Sequence, residues 1–357
     1  MPPSIESGQM PIPDLLRDLL ATPGPSGQEA APARVWREAA AAFAEVSTDA
    51  LGSSLARVAG TGGGPLLALV AHIDEIGLVV THVSDEGYLF FRPLGGWNPQ
   101  VLLGQRVTLL GPDGPVPALV GRKWIPAPKP GEERKRVELD DLHLDLGARS
   151  REEALECVRL GDVAVVTAEP VELPNERIAA RAVDDRVGAY VVLEAARRIA
   201  EAGGAPGDVV AAAVVGEEDG DYSGSRAAVF GLGPAVAVVV DVTDSTDVPA
   251  GDPKVKGELR VGGGPAIGRG LPIDRRVSDL LLDAAAAEGI PHTVEVSSGT
   301  TSTDADAVHL SRAGVATGLI SVPIRYLHTP NELVSLDDVE AAVRLLVAFA
   351  RRLERLG

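Results

Sequence analysis

The sequence predicts an α/β fold in which an α/β domain is interrupted by a β-rich insertion, and three observations carry that expectation. The chain has 357 residues, more than one hydrophobic core usually organises. Short apolar runs alternate with helical patterns at both ends of the chain. Between them, from about Gly77 to Val166, valine-rich segments such as LVVTHV, YLFFRPL, QRVTLL and DVAVVT are separated by Gly, Pro and Asp turns, the texture of a β domain. The expected division is 1–76 with 167–357 for the α/β domain and 77–166 for the insertion.

In chain order, Asp14–Leu20 and Glu29–Glu45 read as helices separated by the breakers Gly24, Pro25, Ser26 and Gly27. Pro65–Asp74 is short and continuously apolar, a buried strand that delivers His72 and Asp74 at its carboxyl end. Inside the insertion, Pro126–Asp141 is proline-rich and charged, as an exposed loop is. Beyond it, Asp184–Ala202 reads as a helix, Asp208–Val215 and Ala235–Val240 as buried strands, and Arg276–Glu288 and Leu336–Leu356 as helices.

Composition excludes several functions. A net charge of −18 repels phosphate backbones and anionic lipid surfaces, so neither nucleic acid nor membrane is an expected partner. The single cysteine, Cys157, permits no internal disulfide and no thiolate metal cage, which suits a cytoplasmic setting. No targeting segment and no membrane-spanning apolar run is expected. There is neither a G-x-S-x-G elbow nor a G-x-x-x-x-G-K-[ST] phosphate loop.

Charge at the end of a buried strand is costly unless it is paired or metal-bound. Five such places occur: AHIDEIG (His72, Asp74), AVDDRVG (Asp184, Asp185), VVGEEDG (Glu217, Glu218), VVVDVTDSTDVP (Asp241) and PIRYLHTPNE (His328). Each alone has a bland reading: a helix cap for the Asp pair, a solvated strand end for the Glu pair, a turn for Asp241, backbone-satisfied core histidines for His72 and His328. Together they make a mixed nitrogen and oxygen set that suits Zn²⁺, Co²⁺ or Mn²⁺, with enough carboxylates for two adjacent ions. The other histidines, His82, His143, His292 and His309, lie apart from such clusters and read as structural.

In this order the five motifs resemble the tetrahedral dinuclear metallo-aminopeptidases, which include glutamyl and deblocking aminopeptidases and some members labelled endoglucanases. PGPSGQE (Pro23–Glu29), GGWNPQVLLGQRV, LDLGARSREEA and TDADAVHLSRAG (Thr303–Gly314) extend the resemblance over nearly the whole chain. It implies a mixed-sheet, zinc-aminopeptidase-like domain with helices on both faces and a PDZ-like or barrel-like insertion. It implies two divalent ions, zinc first, with cobalt or manganese as alternatives: one held by His72, Asp184 and Asp241, the other by Asp184, Glu218 and His328. Asp184 is then the bridge, Asp74 orients His72, Glu217 is the general base, and Asp185 supports the loop. The implied reaction is hydrolysis of the first bond of peptides with a free amino terminus by a metal-bridging hydroxide. Implied partners are further copies of the chain, through dimer contacts of the insertion, up to a tetrahedral dodecamer.

Adjacent strand residues point to opposite sides, so Glu217 and Glu218 can share a site only if the strand end is distorted. The family commonly has Gln before this pair and Val-Gly after it, whereas Gly216 precedes it here and Asp219-Gly220-Asp221 follow. That departure keeps open a metal-binding homologue without turnover. An endoglucanase-type glycosidase fits less well, because aromatic platforms are scarce in a chain that is 3% aromatic.

Overall fold

The computed structural model describes residues 11–124 and 136–356. Among these, eight strands form one mixed sheet, in the spatial order Glu45–Thr48, Ser54–Val58, Val209–Val214, Leu67–His72, Val236–Asp244, Ala316–Ile324, Ala266–Gly270, Thr293–Ser297. The third to sixth strands in this order run parallel, which buries them on both faces and explains their near-continuous apolar sequences.

Alternation along these strands sorts residues between two cores. Leu67, Leu69 and Ala71 face a core filled from the helices Asp14–Ala21, Ala30–Ala40, Val183–Glu201, Arg275–Glu288 and Leu336–Ala350. Ala68 and Val70 face a smaller one that includes Ala228 and Val229 of Ser223–Leu232 and Val308 of the short helix Ala305–Val308. The fold is therefore α/β with helices on both faces, as expected.

Six further strands close into a barrel: Gly77–Val83, Leu89–Leu94, Leu142–Asp145, Gly114–Arg122, Arg106–Gly111 and Val163–Val166 in spatial order. Leu78, Leu89, Val107 and Leu144 belong to its own separate core. Closure removes the open edges that so many short strands would otherwise expose. Most of the expected charged loop, 126–135, lies outside the described residues.

The structure corrects some boundaries. The second helix ends at Ala40, and Glu45 opens a strand. The edge strands Glu45–Thr48 and Thr293–Ser297 are short or half-exposed and carry no apolar run that announces them. Ala316–Ile324 is a further buried strand, apolar in sequence but lying between two polar motifs. A small three-stranded sheet of Val171–Leu173, Arg177–Ala180 and Glu332–Ser335 is likewise new.

Candidate metal centre

The segment that carries Asp184 is bent away from helical geometry. Ala182 lies at φ 56°, the Asp184–Asp185 peptide is cis, and both aspartates have non-helical dihedrals. Asp185 Oδ1 accepts the Gly188 amide at 2.9 Å, capping the regular part of the helix. The capping role thus falls to Asp185, and Asp184 is left facing inward. Its Oδ1 lies 3.0 Å from His72 Nε2 and its Oδ2 lies 3.2 Å from His328 Nε2, so its two oxygens address different imidazoles.

His72 ends the strand Leu67–His72, and Asp74 follows two residues on. Asp74 is fully buried. Its Oδ1 lies 3.4 Å from His72 Nδ1, and the Ser26 hydroxyl donates to its Oδ2 at 2.7 Å. The backbone amides of Glu217 and Glu218 donate to its two oxygens, each at 3.1 Å. The strand before them stops at Val214, and Gly216 takes φ 64°, a conformation glycine adopts without steric penalty. This is the distorted strand end: Asp74 gathers both amides, and both glutamates line one cavity. Glu217 Oε2 is 3.9 Å from His72 Nε2, and Glu218 Oε2 is 3.4 Å from His328 Nε2.

Asp241 completes the assembly from within the strand Val236–Asp244, where it is 5% exposed. Ligand-type atoms of His72, Asp184 and Asp241 lie within 4.8 Å of one another, as do those of Asp184, Glu218 and His328. Of the eight residues singled out from the sequence, Asp185 caps the helix and seven meet here: His72, Asp74, Asp184, Glu217, Glu218, Asp241 and His328. The other histidines do not: His82 packs beside Phe90, His143 against Tyr88, and the Nδ1 atoms of His292 and His309 face the carbonyls of Ile290 and Ala305.

Three further residues belong to the site. Glu332 is 2% exposed and accepts the amides of Asp184 (3.1 Å) and His328 (2.9 Å), tying the two segments together. The Gly96 carbonyl, from the barrel loop, lies 3.0 Å from His328 Nδ1. With Nδ1 donating there, Nε2 is turned toward the Asp184 and Glu218 carboxylates, and in the neutral ring its lone pair would be available to a cation between them. Asp304 is 1% exposed, and neither of its carboxyl oxygens has a hydrogen-bond partner. Glu332, Gly96 and Asp304 all stand in motifs quoted above. Gly96 meets His328 and Glu332 meets the Asp184 amide across 232 and 148 residues, and the carboxyl oxygens of Asp304 have no hydrogen-bond partner, which is why local spacing gives them no role.

The electrostatics show a centre short of positive charge. Burial lowers the imidazole pKa of His72, but Asp184, Asp74 and Glu217 outweigh it and raise His72 well above the usual range. His328 is likewise pushed up to about 11: burial opposes, and Asp184 and Glu218 prevail. Burial, then the Asp241, Asp304 and Glu218 charges, push Glu217 up to about 10 although His72 opposes them. Burial is also the main cause that raises Asp241 well above its ordinary value. One oxygen of Glu218 is buried without a partner. Buried carboxylates in this number, with unused lone pairs and two imidazoles but no thiolate, fit hard-to-borderline divalent cations.

The carboxylates line a cavity of about 260 Å³ together with Gly96, Tyr222, Val242, Ser302 and Leu327. Several wall residues have positive φ without being glycine, among them Tyr222 (54°), Ser302 (57°) and His328 (57°). Such conformations persist only where the surroundings hold them, and they concentrate at functional sites.

The sequence pattern of M42 glutamyl aminopeptidases matches residues 52–345. The chain belongs to the M42 glutamyl aminopeptidase family. As an M42 peptidase it is a hydrolase acting on peptides. It is 33% identical over 353 residues to the lysyl aminopeptidase of Pyrococcus furiosus, covering 96% of this chain and 97% of that one. Its fold is similar to the TET aminopeptidase of a marine sediment Thaumarchaeota archaeon, with TM-score 0.90, 34% identity and 96% of each chain covered. It is also similar to the TET1 peptidase of Pyrococcus horikoshii, which can assemble into a tetrahedron or a large octahedral shell. There the TM-score is 0.83 at 30% identity, covering 94% of this chain and 98% of that one. Among the described residues, no helix of this M42 peptidase is long and apolar enough to cross a membrane.

Proposed function

We propose that this chain is a dinuclear metal-dependent aminopeptidase that cleaves the first peptide bond of peptides with a free amino terminus. One divalent ion would be held by His72, Asp184 and Asp241, the other by Asp184, Glu218 and His328. Zinc suits this donor set first, with cobalt or manganese as alternatives. The observation that carries the reading is Asp184, whose two oxygens each face the imidazole of a different ligand group. When bound, the two ions supply the charge that acidifies a water and polarises a carbonyl.

The chain's own residues do the rest. Glu217 is the general base, because it lines the cavity beside both ligand groups while its main-chain amide is fixed by Asp74. It takes a proton from the attacking water and returns it to the leaving amine. Asp74 orients His72 through Nδ1, Gly96 does the same for His328, and Glu332 holds the backbone of both Asp184 and His328. The cavity walled by carboxylates favours an ammonium group, which would hold the free amino end there and place the cut at the first bond.

A metal-binding homologue without turnover is the second reading, motivated by Asp219 and Asp221. Both are exposed, and Asp219 Oδ1 accepts the Asp221 amide at 2.8 Å, within its own turn. The contacts that fix Glu217 and Glu218 involve neither, so we favour turnover. The barrel is the proposed assembly domain, with dimers building toward a tetrahedral dodecamer. The proposed setting is the cytoplasm, in keeping with the lone Cys157.

The deciding experiment measures metal content by mass spectrometry, together with release of single residues from free-amino peptides before and after chelation. Two ions per chain and chelator-sensitive release are expected. Bound metal without release would favour the second reading, and metal-free, chelator-insensitive hydrolysis would overturn both.

A further inference from the structure

The comparisons name opposite charges for the released residue, glutamyl for the family pattern and lysyl for one relative. The cavity wall distinguishes them. Apart from the proposed ligands and base, it offers the Tyr222 and Ser302 side chains and the apolar Val242 and Leu327. Among the described residues, no lysine or arginine lines it. The arginine closest in sequence to His328, Arg325, is held by Asp247 through two contacts at 3.0 and 2.6 Å, so its charge is already matched.

Further carboxylates surround this wall. Asp306 accepts the amides of Thr301 and Ser302 and fixes the turn that presents Ser302. Asp219 and Asp221 flank Gly220, which lines the cavity, and the exposed Arg226 lies 3.8 Å from Asp221, so Asp221 is partly matched while Asp219, among the described residues, is not. Asp184, Glu217, Glu218 and Asp241 balance the charge of two divalent ions. The remaining carboxylates then keep the walls negative even in the loaded protein.

Resting on the aminopeptidase reading, we propose that the side-chain subsite of this cavity selects a cationic first residue, lysine or arginine, and refuses glutamate and aspartate. A glutamyl side chain would enter with no cation to meet it, and like-charge juxtaposition in a desolvated site is strongly unfavourable. A lysine or arginine end would find the Tyr222 and Ser302 hydroxyls as acceptors, with the Asp219, Asp221 and Asp306 carboxylates lying behind this wall.

The test uses the metal-loaded full chain in two readouts. Calorimetry measures binding of lysine amide, leucine amide and glutamate amide, and kcat/KM is measured for matched peptides beginning with Lys, Leu and Glu. Binding and release should both follow Lys over Leu over Glu, with Lys ahead of Glu by about 100-fold. The preference should shrink as salt is raised. Asp221→Asn, at the exposed rim, should lower the Lys-to-Leu ratio about threefold. Glutamate amide bound as well as lysine amide, or no amide bound, overturns the inference. Lysine amide preferred in binding without release from any peptide would uphold the subsite and overturn the turnover reading alone.

Discussion

Two buried charge clusters lie side by side in this molecule, and they solve the same problem differently. Glu75 is 2% exposed and meets two guanidinium groups, the buried Arg181 and the fully buried Arg186 at 3.4 Å, while the Gly24 amide donates to it at 2.9 Å. One residue earlier, Asp74 enters a centre where Asp184, Glu217, Glu218 and Asp241 crowd together with two imidazoles and no lysine or arginine. The first cluster is satisfied from within, because the carbonyls of Leu19, Ala21, Thr22 and Gly24 accept from the guanidinium groups that the single carboxylate cannot fully match, and it is architectural. The second is left anionic, which is tolerable only where something outside the chain supplies the missing charge. Two of the five motifs divide between the clusters: AHIDEIG gives His72 and Asp74 to the centre and Glu75 to the ion cluster, and AVDDRVG gives Asp184 to the centre, Asp185 to the cap and Arg186 to the ion cluster.

This contrast predicts opposite responses to mutation. The largest effect is expected from Glu217→Gln, which should leave two ions bound while kcat falls by roughly 10²–10⁴-fold, the usual range for a lost general base. Retained activity would remove Glu217 from the chemistry. Glu75→Ala should instead cost about 3–5 kcal/mol in urea unfolding of the loaded protein, because it strands two buried guanidinium groups. A much smaller cost would show that water reaches the cluster.

How much of this division is legible in sequence depends on whether the partner is local. The strand-terminal positions of His72, Asp74 and Asp241 follow from apolar runs that stop at a polar residue, and the Glu217–Glu218 distortion follows from strand alternation. The pairing of Glu75 with Arg181 and Arg186 spans more than a hundred residues, and no pattern around Glu75 announces it. Glu332 is similar: it sits four residues from His328, yet its second contact, the Asp184 amide, is 148 residues away. The edge strands escape for another reason, since sheet pairing rather than apolar periodicity defines them.

Smaller effects sharpen the comparison. A Cβ placed on Gly96 would lie 2.8 Å from His328 Nδ1, so Gly96→Ala must displace the imidazole or the loop. Affinity for one of the two ions should fall by about 10–100-fold in a chelator titration, with the other little changed. Equal weakening of both would mean that the centre responds as a unit. The smallest effect carries the sharpest sign. In chelator-treated protein, Asp241→Asn should raise stability by about 1 kcal/mol, because burial above all, and then the Asp184 and Asp304 charges, oppose the ionised carboxylate there. Destabilisation there would mean that Asp241 is compensated by the chain itself.

The reach of Gly96 into the neighbourhood of His328 also bears on how such a chain can be altered. The barrel occupies one uninterrupted stretch of sequence, which invites an engineer to excise it or exchange it for another module. Doing so would take away the Gly96 carbonyl that faces the His328 ring, and with it part of the cavity wall. The insertion is thus a component of the workshop rather than a handle bolted to its outside, and any replacement must bring its own glycine turn to the same spot.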